Sequence, residues 1–479
     1  MIIMCGIAGA YSFQGSDIST YLKKMLYILR HRGPHGCGAI IRDKVVYGSI
    51  DEITFPRGEI GIGYNMLNII GKGPQPIPNE KNDLWLVHDG EIYNFMQLRN
   101  KLSSRHTFRT NINSEAILHA YEDLQLHLID GVFAFAIYDI NNECLEIYRD
   151  FIGAKPLFYC KARNIFMFAS ERKAFLPFCT PPSRLPPGHR LIIERDSISL
   201  EKFYSLDDIP ILSMKNVDKM IQVLENALIK AVEKRLYKPT AILFSGGIDS
   251  SLISKIASDL GGDIRLYTVG LRGSRDIKSA IAASRELGLE ISIYEIKENE
   301  VPELFSLIAR IIDEPDPLKI LIGIPIYIAA REIAKDGFRV VLLGQGADEL
   351  FGGYARYLNF KKEEIEIEML NDLRNIHIKN AERDDHCLLR NSVEGRFPYL
   401  DMEIIKIALS IPVEYKIRNN VRKWILRKVA KKIGLPTSIV TKEKKAIQYG
   451  SGVVKVMKQF AKKCKITLEE LARKAIQAE

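Results

Sequence analysis

Three features of the sequence predict an α/β protein of two domains. From position 217 onward, apolar strand-like runs alternate with amphipathic helical ones, the pattern of a parallel sheet covered by helices. Before about position 206, short apolar runs are broken by Gly, Pro and Asn, as in the stretch from Gly131 to Asp139, and predict a sheet-rich domain. At 479 residues the chain is also too long for one ordinary hydrophobic core.

Taken in order, the sheet-rich part carries helical periodicity near 19–29 and 114–124. Residues 205–216, polar and containing Pro210, form the predicted linker, so the domains are expected at 1–206 and 217–479. The spacing then predicts helix 217–236, strand 240–244, helix 250–260, strand 265–269, helix 277–287 and strand 290–294. After Asp348 the pattern is almost entirely helical, and Thr467-Leu468-Glu469-Glu470 reads as the start of the last amphipathic helix. No internal repeat is present.

Composition excludes several classes. Hydrophobic content of 47% and charged content of 27% suit a globular enzyme. The formal charge of +9 comes from scattered lysines, with no stripe of basic and aromatic residues, so no nucleic-acid partner is expected. Seven cysteines, an odd number without CxxC spacing, argue for a reducing interior, against a disulfide framework and against a structural zinc site. Neither a charged leader followed by an apolar run nor an 18-residue uncharged stretch occurs, so a cytoplasmic protein without a membrane partner is expected.

The most informative segment runs from Ile242 through Leu243, Phe244, Ser245, Gly246, Gly247, Ile248 and Asp249 to Ser250 and Ser251. An apolar strand meets a loop of small residues just before a helix. Glycines let backbone approach phosphate oxygens, serines add hydroxyl donors, and the helix start supplies unpaired N–H groups and its positive dipole end. Asp249 repels phosphate directly, which makes it a candidate ligand for a bridging Mg2+. The spacing is not GxxxxGK[ST], and no lysine stands where that motif would place one. ATP cleavage between the α and β phosphates fits better than kinase or ATPase chemistry.

An ordered set of segments carries a resemblance over nearly the whole chain. They are Met4-Cys5-Gly6-Ile7-Ala8-Gly9, Arg30-His31-Arg32-Gly33-Pro34, Gly90-Glu91-Ile92-Tyr93-Asn94, Gly153-Ala154-Lys155-Pro156-Leu157, Phe168-Ala169-Ser170-Glu171, Leu185-Pro186-Pro187-Gly188, the serine-glycine loop, and the run from Gly346 through Ala347, Asp348 and Glu349 to Tyr354. Together they resemble the glutamine-dependent asparagine synthetase family. The resemblance implies an N-terminal nucleophile hydrolase αββα sandwich joined to an adenine-nucleotide α-hydrolase-like parallel-sheet domain with C-terminal helices. It implies ATP and Mg2+ as cofactors, with Leu243, Ser245, Gly246, Gly247, Asp249, Ser250, Val269 and Gly346 around ATP and pyrophosphate. Asp249 and Asp348 would hold the metal, although Asp348 also reads as a helix-start residue. Lys444 would reach the reaction centre, with Lys445 as its competitor. Glu394 and Arg396, in Ser392-Val393-Glu394-Gly395-Arg396, would position the acceptor carboxylate, or else brace helices as an ion pair.

The same resemblance makes Cys5 the nucleophile, which requires it to become the first residue. A free α-amine titrates at roughly 7.7–8 and can act as base for its own thiol. Initiation at Met4 with methionine removal would expose it. Several positions depart from the family pattern. Met66 stands where an arginine is expected at the glutamine α-carboxylate, Asn113 replaces an aspartate at the α-ammonium, and Asp89 replaces an oxyanion-hole asparagine, leaving the Gly90 N–H and Arg32 as local donors. Gln345 stands where the family has a glutamate.

The expected substrates are therefore aspartate or a related carboxylate, with nitrogen from glutamine or ammonium, and a homodimer is a candidate assembly. The competing expectations are an adenylate-forming ligase for another carboxylate or amine, and a noncatalytic regulatory or interaction homologue.

Overall fold

A computed structural model describes residues 3–68, 74–195, 197–442 and 450–477, apart from the side chains of residues 3–5 and 68. The chain divides into two compact units, 1–208 and 209–479.

The first unit contains strands β1 (Ile3–Ser12), β2 (Cys37–Ile41), β3 (Lys44–Gly48), β4 (Ile60–Asn68), β5 (Ile77–Pro78), β6 (Leu84–Ile92), β7 (Gly131–Asp139), β8 (Cys144–Arg149), β9 (Phe158–Ala162), β10 (Ile165–Ala169), β11 (Ser183–Arg184), β12 (His189–Glu194) and β13 (Ser197–Lys202). They form two antiparallel sheets, one in the order β11-β9-β10-β1-β4-β2-β3 and the other β13-β12-β8-β7-β6-β5. Alternation along each strand sends successive residues to opposite faces. In β7, Ala134, Ala136 and Tyr138 join Ile7 and Tyr11 of β1 and Ile62 and Tyr64 of β4 in the core between the sheets. The intervening Phe133, Phe135 and Ile137 face the other way, against α2 (Phe95–Leu102) and α3 (Asn113–Glu122). Ala8 and Ala10 of β1 pack with Leu22, Met25 and Leu26 of α1 (Ser19–Ile28). The result is the expected αββα sandwich. The small alanines on β1 are what let α1 lie close.

Cys160 on β9 and Cys179 are joined in a disulfide, their Cα atoms 6.5 Å apart. The odd cysteine count argued against a disulfide framework. It carried no information about this pair, which is brought together only when the chain beyond β10 folds back beside β9.

The second unit begins with α4 (Val217–Arg235), capped by the Asn216 side chain, which accepts from Lys219 N. There follow β14 (Thr240–Leu243), α5 (Ile248–Asp259), β15 (Ile264–Leu271), α6 (Arg275–Leu287), β16 (Ile291–Ile296), α7 (Val301–Ile312), α8 (Pro317–Lys335), β17 (Val340–Leu342), α9 (Ala347–Phe351), α10 (Lys362–Arg374), α11 (Glu382–Leu389), β18 (Glu394–Arg396), α12 (Met402–Ser410), α13 (Val413–Lys416) and α14 (Trp424–Lys432). All four strand pairings of the sheet β16-β15-β14-β17-β18 are parallel. Its central residues Ala241, Ile242, Leu266, Tyr267, Val340, Val341 and Leu342 are buried, as a sheet covered on both faces requires.

The region beyond Asp348 is almost entirely helical, as expected, and the exceptions are short. The three-residue β18 adds to the sheet edge, and Ile417–Arg418 pairs with Val421–Arg422 in a short hairpin. Charged Glu394 and Arg396 give β18 no strand signature. Its ladder to β17 and the pairing of those two side chains place it there. At the C-terminus, Thr467 and Glu470 exchange backbone-to-side-chain hydrogen bonds ahead of the helix Leu468–Gln477. Among the described residues, no helix is long and apolar enough to cross a membrane.

Candidate active site

In the second unit the strand order reverses between β14 and β17. Chain that leaves β14 proceeds outward through β15 and β16, whereas β17 and β18 lie on its other side. Ligands of open parallel sheets bind in the crevice at such a switch point, outside the C-terminal strand ends. The serine-glycine loop leaves β14 there. Gly246 takes φ +66°, and a Cβ on it would lie 2.4 Å from the Ser279 carbonyl oxygen, so only glycine fits this tight passage. Ser250 Oγ accepts from Ser245 N at 3.3 Å, and α5 begins directly after Gly247 with its first N–H groups turned to the loop. Leu243 ends β14, and Val269 lies in the C-terminal half of the neighbouring β15.

Asp249 and Asp348 follow the two strands that flank the switch point, and one ammonium group joins them. Lys423 Nζ lies 2.6 Å from both carboxylate oxygens of Asp249 and 2.7 Å from Asp348 Oδ1. Lys423 is 1% exposed and takes the left-handed φ of +56° at the start of α14. Two convergent carboxylates beside a hydroxyl-lined loop are a donor set that suits an oxygen-seeking cation such as Mg2+. Gly353 lets both side chains pack against its backbone, since a Cβ there would stand 1.8 Å from Asp348 Oδ1 and 2.3 Å from Lys423 Cε. Gly346, at φ +93°, makes the turn into α9 that presents Asp348.

Sequence reasoning missed Lys423, which falls in the stretch beyond Asp348 expected to be almost entirely helical. Nothing in the local pattern marks it, because its role depends on two aspartates about 75 and 174 positions away. Lys444 and its competitor Lys445 lie outside the described residues. Lys442 of the same run does reach the loop, donating to Gly246 O at 3.4 Å and to Ser279 Oγ. Burial and the nearby Arg275 hold its ammonium below the usual lysine range.

Gln345, at the position where a glutamate was expected, donates from Nε2 to Asp384 Oδ2 at 2.7 Å. Asp384 is fully buried, and burial raises its carboxyl above the usual range while Arg383, 2.6 Å from Oδ1, opposes that rise. Arg396 and Glu394 face each other, Nε to Oε1 at 3.1 Å, and Arg396 also donates to the Arg235 carbonyl. Both are buried. The pair thus braces β18 against the end of α4, one of the two readings that the sequence offers for these residues.

In the first unit, β1 carries Cys5 in register with Met66 of β4. The Cys5 side chain lies outside the description. Met66 packs against the core between the sheets and receives the Tyr64 hydroxyl at 3.7 Å. A thioether here offers no charge to a carboxylate. Asp89, on β6, is fully buried, and its carboxylate pairs with the equally buried Arg32 at 2.9 Å, with Lys155 Nζ at 3.8 Å. Arg32 also pairs with Glu171 at 3.0 Å, and Glu171 accepts from His31 and Lys173. Sequence reasoning took Asp89 as an acceptor set in place of a donor. The structure shows its charge neutralised by Arg32, whose side chain passes Gly6 so closely that a Cβ there would meet Arg32 Cδ at 3.2 Å. Gly90 follows with φ +145°, a conformation that favours glycine. Asn113 opens α3, 1% exposed, and its Nδ2 is buried without a hydrogen-bond partner. Next to it Ser114 Oγ meets His88 Nδ1 at 2.8 Å.

Comparison with known proteins matches both units. Residues 4–186 match the glutamine amidotransferase domain family, and residues 223–365 and 359–476 match the asparagine synthase family. A Methanocaldococcus jannaschii protein assigned as a glutamine-hydrolysing asparagine synthetase is 38% identical, with 96% of each chain covered. Glutamine-hydrolysing asparagine synthetase 2 of Arabidopsis thaliana is 30% identical over 88% of this chain and 75% of its own. Asparagine synthetase B of Escherichia coli is 29% identical over 94% and 83%.

Proposed function

We propose, from the premise that the chain belongs to the glutamine-hydrolysing asparagine synthetase family, that it makes asparagine from aspartate at the expense of ATP. The observation that carries the reading is the convergence of Asp249, Asp348 and Lys423 beside the serine-glycine loop at the switch point of the parallel sheet.

The loop hydroxyls of Ser245 and Ser250 and the start of α5 receive the phosphates, with the Lys423 and Lys442 ammonium groups at hand to neutralise negative charge. Asp249 and Asp348 would hold Mg2+, which supplies charge neutralisation on the departing pyrophosphate. A side-chain oxygen of aspartate attacks the α-phosphorus, the bond to the β-phosphate oxygen breaks, and an acyl-adenylate remains. Ammonia then attacks the acyl carbon, AMP leaves, and the nitrogen gives up a proton. A carboxylate in place of Gln345 would be the simplest acceptor. Here the buried Asp384, held through Gln345 Nε2, is the acid–base group nearest in kind, and burial raises its proton affinity above that of an ordinary carboxylate.

The nitrogen donor is glutamine or free ammonium, and Met66, Asn113 and Asp89 favour ammonium. A pocket without a cation at Met66 or an anion at Asn113 loses charge-assisted contacts to an amino-acid ligand. The test is incubation with ATP, magnesium, aspartate and either ammonium or glutamine, with separation of the products. AMP, pyrophosphate and asparagine are expected. ADP in their place would reject the adenylation route, and AMP release without asparagine would redirect the search for the acceptor.

A further inference from the structure

Away from both sites, four side chains of the first unit converge on one point. Glu80 follows β5, His106 follows α2, and His119 and Glu122 lie one turn apart on α3. One ligand atom from each of the four falls within 4.8 Å of all the others. The Nδ1 atom of His106 lies 3.4 Å from Glu80 Oε1 and 3.6 Å from Glu122 Oε2, and Nδ1 of His119 lies 3.7 Å from Glu80 Oε2 and 3.0 Å from Glu122 Oε2. We propose that these residues form a structural binding site for a divalent cation of the zinc class.

Ligand spacing is the first argument. A tetrahedral zinc ion with bonds of about 2.0–2.2 Å separates its ligand atoms by about 3.3–3.6 Å. The four contacts straddle that value, so the cation can enter without moving the backbone.

The outer groups give the second argument. Behind the cluster, His106 Nε2 faces Asp123 Oδ1 at 3.2 Å and His119 Nε2 faces Glu115 Oε1 at 3.8 Å. Each imidazole therefore meets carboxylates at both nitrogens, yet a neutral ring carries one N–H. The two rings stack with centroids 4.5 Å apart, so their Nδ1 atoms face the same pair of glutamates. A metal at the Nδ1 side would leave each Nε2–H beside a carboxylate, 3.2 Å from Asp123 and 3.8 Å from Glu115, the neighbours that a carboxylate–histidine–metal arrangement uses. Two carboxylates and two neutral imidazoles also balance a 2+ charge.

Orientation of the ligands is the third. Glu80 Oε1 accepts from Thr107 N at 2.9 Å and Glu122 Oε1 from Asn79 Nδ2 at 2.9 Å. Glu115 is itself fixed by the N–H groups of Arg109 and Thr110 and the Thr110 hydroxyl. Four protein ligands leave no open position, which is the mark of a structural site. Bound metal would pin the segments after β5 and α2 to α3, the helix that Asn113 opens. Absence of CxxC spacing excludes only cysteine ligation.

Cobalt titration of the EDTA-treated full-length chain tests the site. One equivalent of Co2+ is expected to give the visible bands of four-coordinate cobalt, to be displaced by Zn2+ and not by Mg2+, and to raise the thermal midpoint. His106→Gln and Glu122→Gln should each weaken cobalt binding by about 100-fold or more, and Asp123→Asn by about 10–100-fold. A wild-type chain that shows no four-coordinate cobalt spectrum overturns the proposal, whatever the variants do. So does unchanged stoichiometric binding by a folded His106→Gln chain.

Discussion

Lys423 Nζ stands between the carboxylates of Asp249 and Asp348, 2.6 Å from both oxygens of the first and 2.7 Å from Oδ1 of the second. Two carboxylates at neighbouring strand ends repel, and the fold neutralises part of that charge with a lysine of its own. The lysine therefore has two duties that a substitution can separate. It holds the aspartates together before substrate arrives, and it offers positive charge to the phosphates afterwards.

Lys423→Met is expected to lower the rate of AMP formation by at least about 100-fold, the scale on which a preorganised electrostatic contact acts. It should also destabilise the fold by about 3 kcal/mol, because two largely buried anions lose a shared counter-ion. Asp249→Asn and Asp348→Asn, which leave Lys423 one partner, should depress magnesium-dependent AMP formation with smaller effects on folding. Magnesium titrations of pyrophosphate release, read beside thermal melts, check all three. A folded Asp249→Asn or Asp348→Asn chain with near-native turnover would remove that residue from the metal role.

Asp384 and Gln345 predict a pH dependence. A general base works only when ionised, and burial raises the Asp384 carboxyl, so the acid limb of ammonium-dependent asparagine formation is expected above the usual carboxylate range. Asp384→Asn should flatten that limb and lower kcat, with little change in KM for ATP. Gln345→Glu in the same chain returns a carboxylate 2.7 Å from the lost one and should restore part of the rate. A rate–pH profile unchanged by Asp384→Asn would exclude the assignment.

Much of this architecture was legible in the sequence because its signals are local. The strand–loop–helix from Thr240 to Asp259 announces itself through apolar run, glycines and helical period, and β14 and α5 lie within two residues of their expected bounds. The aspartates were legible for the same reason, each standing a few residues beyond a strand. Lys423 and Asp384 were not, since what defines them is proximity across the fold. The His106 and His119 cluster was hidden further. Its four ligands come from three segments, and only His119 and Glu122 share a helical spacing. Asp89 was read as a departure from the family pattern but not as a partner of Arg32, because an ion pair between positions 32 and 89 leaves no trace in either neighbourhood.

Glutamine use tests the first unit. If initiation at Met4 exposes Cys5, glutamine-supported synthesis should be weak, should require that mature terminus and should vanish in Cys5→Ala, whereas ammonium-supported synthesis should persist. Asp89→Asn alone is expected to reduce stability by about 3 kcal/mol, because it leaves the buried Arg32 with one carboxylate fewer. Intact-mass measurement fixes the terminus before the two nitrogen donors are compared. Efficient glutamine hydrolysis by Cys5→Ala would overturn the nucleophile assignment.

His88 gives the first unit a built-in acid sensitivity. It is fully buried on β6, and burial, reinforced by the charge of Lys155, pushes its pKa down to about 3. The folded ring stays neutral where the unfolded one, with a pKa near 6.5, takes up a proton. Unfolded chain thus binds more protons between about pH 6.5 and 3, and stability is lost as pH falls through that window. Between pH 7.5 and 5.5 the loss from this residue is about 1.4 kcal/mol. Trp85 lies three positions before His88 on the same strand, and the chain has one other tryptophan, Trp424. In a Trp424→Phe chain, Trp85 fluorescence reports unfolding of this sheet alone. His88→Asn keeps a polar partner for Ser114 and removes the titration, so it should flatten the decline in denaturation midpoint between those pH values. An equally steep decline in that variant would assign the acid sensitivity elsewhere.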